Sequence, residues 1–195
     1  MTGKSVTSRP YHHGDLRRVL LAAAITVIEE SGPAALRLRD LARRAEVSHA
    51  APAYHFGDKA GLLTALAAQG YDLLAAQLAR AFEQTGELLE VGVAYVRFAV
   101  GHRAHFEVMF RPDLYHRDDA ELTAARERAF AVLRAGLATL PNAPATEQGQ
   151  HAGLAAWSIV HGFATLWLGN ALPPEVGKDP EAAARVVIRR LFENT

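Results

Sequence analysis

Apolar positions recur at helical spacing through most of this chain, and no alternating run of the kind that marks a half-buried strand interrupts them. From Asp15 onward, Leu16, Val19, Leu20, Ala23, Val27 and Ile28 fall on one continuous face of a first helix. Ser31-Gly32-Pro33 stops that helix, because glycine can take a left-handed cap and proline cannot continue the helix. A short second helix, RLRDLARRA at 37–45, turns Leu38, Leu41 and Ala42 inward and its arginines outward. After the break Glu46-Val47-Ser48, a third helix is predicted to begin at Ser48, a good N-cap. Asp58 is placed to cap a long fourth helix that reaches about Gln84. The remaining pattern predicts helices over about 87–102, 103–110, 119–140, 147–171 and 180–193. Turn-rich segments at 140–146 and 172–180 separate the last of these, with Asp179 as N-cap and Pro180 at the first helical position. The expected fold is all-α, with about nine helices: a three-helix N-terminal domain at 10–58 and a helical body at 59–195.

Composition narrows this picture. Half of the 195 residues are apolar, enough for a substantial core, and only the first ten or so resemble a disordered tail. There is no cysteine, which excludes disulfides and thiolate chemistry and fits a cytoplasmic protein. The N-terminus lacks the apolar run of a signal peptide. The most membrane-like window, 153–172, carries His161, Asn170 and many small residues, so it reads as a buried helix and no membrane partner is expected. A net charge of zero hides an asymmetry: residues 1–60 carry nine Lys/Arg against six acids, and the remainder carries twelve against fifteen. Such a split is what a polyanion-facing module joined to a more acidic one produces.

Two short helices joined by three residues match a helix-turn-helix, whose second helix projects from the body into a DNA major groove. Ala42 suits the close approach of the two helices, and Ser48, Ala50 and Ala51 are short enough to let the third come near base edges. His49, Tyr54 and His55 can exchange hydrogen bonds, while Arg37, Arg39 and Lys59 supply phosphate contacts.

Residues 20–63, with LRDLARRAEVS followed by Tyr54-His55-Phe56, Asp58-Lys59 and a leucine pair, resemble the N-terminal DNA-binding domain of TetR (tetracycline-repressor-like) transcription regulators. The resemblance implies that the third helix enters the major groove, that an aromatic-lysine end grips phosphate, and that the C-terminal helices form a dimer and a ligand pocket. Three positions depart from the family's usual pattern. Glu46 stands where a left-handed glycine is common, Arg37 where a Ser or Thr cap is usual, and Ala53 where a tyrosine usually makes a phosphate contact. Either Tyr54 or His55 can take over that contact. AWSIVHGFATLWLG at 156–169 and HFEVMF at 105–110 also resemble a Trp-His-Gly subgroup of C-terminal ligand-binding domains in the same family.

Phe98, His102, Phe106, Met109, Phe110, Trp157, His161 and Trp167 form the candidate ligand pocket, since bulky aromatics are interleaved with histidines and Gly162 leaves room beside His161. Leu154, Ser158, Val187, Ile188 and Leu191 are the candidate dimer interface, because the last helix carries an apolar stripe that would otherwise face water. His102 and His105, with Glu107 nearby, have a ligand-like spacing, but no second cluster follows, so no metal or cofactor is expected. There is no nucleophile elbow, Gly-rich phosphate loop or matched carboxylate pair, and Ser158 with His161 lacks an orienting acid, so no catalytic residue is assigned. The expected function is that of a homodimeric repressor, released from a palindromic double-stranded operator by an unidentified small molecule. The alternative is a helical small-molecule-binding protein or enzyme that does not read DNA.

Overall fold

The computed structural model describes residues 13–138 and 147–190. The first ten residues, the 140–146 loop and Leu191, each of which carried an expectation, lie outside the described residues. Among the described residues there are nine α-helices, two 3₁₀ turns and no strand, as the apolar periodicity predicts. None of these helices is long and apolar enough to cross a membrane. The chain divides into two compact units, the first ending at Leu62 and the second beginning at Leu63.

The first unit holds α1 (His13–Ser31), α2 (Leu38–Arg44), α3 (Ala51–Phe56) and the start of α4 (Lys59–Thr85). Helix α1 buries Leu20, Ala24 and Ile28, spaced to fall on one face. It stops where the Gly32 N–H donates to the Ile28 carbonyl at 2.8 Å, and Pro33 then opens a 3₁₀ turn through Ala35. Arg37 occupies the N-cap of α2 with extended backbone and no side-chain acceptor for the free amides. Leu41 and Ala42 are completely buried, which lets α2 lie close to its neighbours. At the end of α2, Glu46 donates to Arg43 O at 3.3 Å and Val47 donates to Ala42 O at 3.0 Å, the paired bonds of a Schellman motif. That motif needs a left-handed residue at Glu46, whose φ is 54°.

Helix α3 begins at Ala51, three residues later than predicted. Ser48 is not its N-cap: the Ser48 carbonyl accepts the Ala51 N–H at 3.0 Å and closes a preceding turn. Pro52 then lies in the first helical turn, where its missing N–H costs no intrahelical bond. Asp58 caps α4 as expected, its Oδ1 accepting the Gly61 N–H at 2.7 Å.

The second unit continues α4 and adds α5 (Leu88–Gly101), α6 (Arg103–Met109), α7 (Ala120–Leu137), α8 (Glu147–Leu168) and α9 (Pro180–Arg189). Helix α5 is the central element and packs against α8 and α9; Val91, Val93, Val96 and Phe98 are buried on it. Each such side chain contributes roughly 1.5–3 kcal/mol by leaving water. Two arginine–carboxylate forks hold α9 on α5. Arg185 donates to both Glu90 oxygens at 3.0 and 2.7 Å, and Arg97 donates to both Glu181 oxygens. Asp179 Oδ1 starts α9 by accepting the Glu181 and Ala182 N–H groups at 2.9 and 3.2 Å. Helices α4 and α6 meet at Gly70, where any Cβ would fall 2.5 Å from Met109 Sδ.

Candidate nucleic-acid interface and ligand cavity

The helix-turn-helix presents a connected set of side chains to solvent. Arg37, Arg39, Ser48, His49 and Ala50 are exposed, and Tyr54 is an exposed large hydrophobic side chain at 79%. Helix α3 is short, and Gly57, at φ 76°, turns the chain out of it. Gly61 is needed just beyond, because a Cβ there would collide with the Phe56 carbonyl. His55 is half-buried, its ring edge-on to Tyr54 at 5.3 Å and 6.3 Å from Phe56. The Arg17 guanidinium lies 5.5 Å from the Phe56 ring centroid, a cation–π contact that steadies the end of α3.

The cations of this unit divide into those held and those exposed without ion pairs. Lys59 Nζ donates to the Ala34 carbonyl at 3.0 Å, tying the start of α4 to the 3₁₀ turn. Arg44 donates to Glu30 at 2.8 Å, and that bond keeps the Glu30 carboxyl below its ordinary pKa. Arg43 pairs with Asp40 at 3.0 Å. Arg37 and Arg39 hold no ion pair among the described residues, so their guanidinium groups can meet phosphate without breaking one.

In the second unit a cavity of about 60 Å³ lies between α4, α5, α7, α8 and α9. Its walls include the rings of Tyr71, Tyr95, Phe110, Phe130 and Trp157 together with aliphatic side chains, Ile188 of α9 among them. Among the described residues no charged one lines it. Trp157 Nε1 donates to the Tyr95 hydroxyl oxygen at 3.3 Å, leaving the hydroxyl proton for His161 Nδ1 at 2.9 Å. His161 Nδ1 therefore accepts, and the proton of the neutral ring sits on Nε2. Burial lowers the His161 pKa and so favours that neutral form. Burial raises Tyr95 well above the ordinary phenol range, against the opposing effect of its bond from Trp157. Tyr71, raised to about 12 chiefly by burial, donates to the Met109 carbonyl at 3.4 Å.

Residues 20–66 match the family model for bacterial regulatory proteins of the tetR family, and residues 88–191 match that for tetracyclin repressor-like C-terminal domains. The chain belongs to the TetR family. It is similar over its whole fold to a Rhodococcus sp. RHA1 protein of unknown function, with 32% identity, 96% of this chain and 98% of that one covered, and a TM-score of 0.80. A tetR-family regulatory protein from Rhodococcus RHA1 shares the fold at 21% identity, with 91% and 95% coverage and a TM-score of 0.72. NalD, the secondary repressor of the MexAB-OprM multidrug efflux pump in Pseudomonas aeruginosa, does so at 20% identity, with 92% and 95% coverage and a TM-score of 0.58. No curated protein matches the chain.

This TetR-family chain is thus a DNA-binding transcriptional regulator and not an enzyme. Among the residues expected at DNA, His55 and Lys59 are the two that are not fully exposed, and Lys59 is occupied by Ala34. Of the eight expected at the ligand, Phe110 and Trp157 line the cavity. Phe106 and His161 stand behind Phe110, with ring centroids 5.1 and 4.4 Å from it. Phe98 is fully buried beside His102, Met109 is buried against Gly70, and Trp167 stacks on Phe163 at 5.9 Å. Tyr71 and Tyr95 also line the cavity, although each sits in an apolar helix face and only its polar tip sets it apart from a core residue. His102 and His105 lie 5.8 Å apart, but no group of three or more metal-type residues forms among the described residues. Leu154, Ser158 and Val187 are exposed on α8 and α9, whereas Ile188 is 3% exposed because it points inward against α5. Leu166 and Val186 add to this exposed apolar surface, at 47% and 63%.

Proposed function

We propose that this regulator is a cytoplasmic homodimeric repressor that reads a palindromic operator through α3 and is released when a small molecule enters the cavity of its second unit. The observation that carries the reading is the open surface formed by Arg37, Arg39, Ser48, His49, Ala50 and Tyr54 on and around the helix-turn-helix. Short side chains at the start of α3 suit an approach to base edges, and the two arginines and Tyr54 suit phosphates on either side. Tyr54 takes the aromatic phosphate contact in this reading, because its hydroxyl is open while the His55 ring is half-covered. Lys59 acts less as a phosphate ligand than as the brace between α4 and the turn before α2.

Helix α4 is one uninterrupted helix that starts in the first unit and supplies Tyr71 to the cavity wall in the second. A ligand with different affinity for two arrangements of α4 shifts the population of DNA-competent heads, and DNA lowers ligand affinity by the same factor. Leu154, Ser158, Leu166, Val186 and Val187 form the proposed dimer face, which would place two heads on successive half-sites.

A gel shift on DNA from upstream of the chain's own gene tests the reading. Saturable, sequence-selective and salt-sensitive binding is expected, with Tyr54→Ala weakening it by about 1–2 kcal/mol and His55→Ala by less. Arg39→Ala should in addition lower the salt slope by about one, since it removes a charge. Binding that is indifferent to sequence at every salt concentration would sink the operator-reading role.

A further inference from the structure

The walls of the cavity define what it can hold more narrowly than its presence does. Five aromatic rings face it, and Phe130 meets Trp157 edge-to-face at 5.6 Å, while Tyr71 meets Phe110 likewise at 6.1 Å. Edge-to-face walls of this kind accept a further ring at 4.5–7 Å spacing. The side-chain donors of the lining itself are already spent. Both tyrosine hydroxyl protons are donated within the protein, to His161 and to the Met109 carbonyl, and the Trp157 N–H is given to Tyr95. Burial favours the neutral form of His161, and among the described residues no Asp, Glu, Lys or Arg side chain lines the space. A carboxylate, an amine or a phosphate would therefore enter with no counter-charge among the described residues.

Size sets a second limit. A cavity of about 150 Å³ holds one benzene ring. The about 60 Å³ here is less than half of that, so a single ring fills it fully and anything larger must displace a wall or extend through its opening. Phe110 is the wall residue next to Met109, and Met109 in turn rests on Gly70 of α4. A ligand too large for the resting cavity thus presses on the helix that leads to the DNA-reading unit.

We propose that the cavity is a site for an uncharged, single-ring aromatic effector, bound by its ring faces and edges and not by ionic or hydrogen-bonding groups. This rests on the reading of the cavity as the effector site of a ligand-responsive regulator, and it specifies the chemical class.

The test is a titration of the full chain carrying Trp167→Phe, which leaves Trp157 as the sole tryptophan reporter, with toluene and with benzoate. Toluene is expected to change Trp157 emission saturably and to raise the melting temperature, and benzoate to bind at least about tenfold more weakly. Ala156→Leu, which fills the cavity from α8, should abolish the toluene response while the helical circular dichroism is kept. Tyr95→Phe should leave toluene binding within about twofold. The proposal is overturned if benzoate binds as well as toluene, if neither binds, or if Tyr95→Phe removes binding. These measurements contain no DNA, so they succeed or fail independently of the gel shift. If toluene binds but no operator is found, the regulatory reading falls and the cavity chemistry stands.

Discussion

Glu46 shows how a single backbone angle connects the sequence to stability. It holds φ 54° at the left-handed position of the motif that ends α2, where a Cβ crowds the carbonyl and glycine does not. Glu46→Gly should stabilise the fold by about 1 kcal/mol, read as a rise of roughly 2–4 °C in melting temperature. The gain is net of the larger unfolded-state entropy that glycine brings. This strain was legible from the sequence because the turn residue departs from a familiar pattern, whereas the Lys59–Ala34 bond was not, since it joins residues 25 apart. His105 carries a second residue-scale prediction. Its ring is 4% exposed, its Nε2 faces Gln69 Oε1 at 3.1 Å, and burial, helped by His102, lowers its pKa from 6.5 to about 4. The unfolded chain therefore binds the extra proton first as pH falls. The contribution of His105 is fully present above about pH 6.5 and is lost progressively down to about pH 4. Allowing for screening by nearby water, the loss is about 2 kcal/mol. Melting temperature followed from pH 7 to 4.5 should fall less steeply in His105→Gln than in the parent chain, and parallel curves would remove His105 as a cause.

Helix limits were legible wherever a cap has local chemistry, and less so where it does not. Asp58 and Asp179 each accept the amides expected of them, and α4 and α9 begin beside them. Ser48 also looks like a cap, but its carbonyl closes a turn with Ala51, and α3 starts only after that turn. The cavity was less legible still. Phe98 and Met109 are as bulky and apolar as true wall residues, yet they lie in the core, and Tyr71 and Tyr95 have the spacing of core residues yet form the wall. Helical periodicity tells which face is buried, not whether a void lies against it. The contact between α4 and α6 is one that only the fold reveals, and it carries the next prediction. A Cβ at Gly70 would fall 2.5 Å from Met109 Sδ, and Met109 is only 1% exposed, so it has little room to withdraw. Gly70→Ala should destabilise the protein by about 1–3 kcal/mol through overpacking, although alanine is the better helix former. Adding Met109→Ala should cost less in this background than in the parent, because the space it opens relieves the clash. Additive losses in urea unfolding would show that the two positions are not coupled.

At the scale of the whole molecule, the question is why one chain should not suffice. Leu154, Ser158, Gly162 and Leu166 follow one another four residues apart along α8 and so form a single ridge. Leu154 and Leu166 are 55% and 47% exposed, and an added Cβ at Gly162 would meet no atom within 4 Å, so the ridge is open through its middle. Val186 and Val187 on α9 add apolar surface at 63% and 39% exposure. Small residues between two leucines let a second helix approach closely, and a two-fold axis would bring the ridge against its own copy. A stable interface buries about 800 Å² on each partner, so α8 and α9 are both assigned to the proposed face. Leu166→Asp with Val186→Asp places a charge on each helix at exposed sites, so the fold should survive while pairing does not. Sedimentation of the doubly substituted chain should show a monomer with unchanged helical circular dichroism. Its operator affinity should fall by more than about a hundredfold, because a single head keeps little beyond non-specific attraction. The salt slope should drop by about half, since one head neutralises about half the phosphates. A variant that stays dimeric would move the interface elsewhere on the second unit. A monomer that still binds the full operator tightly would mean that one helix-turn-helix reads the site alone.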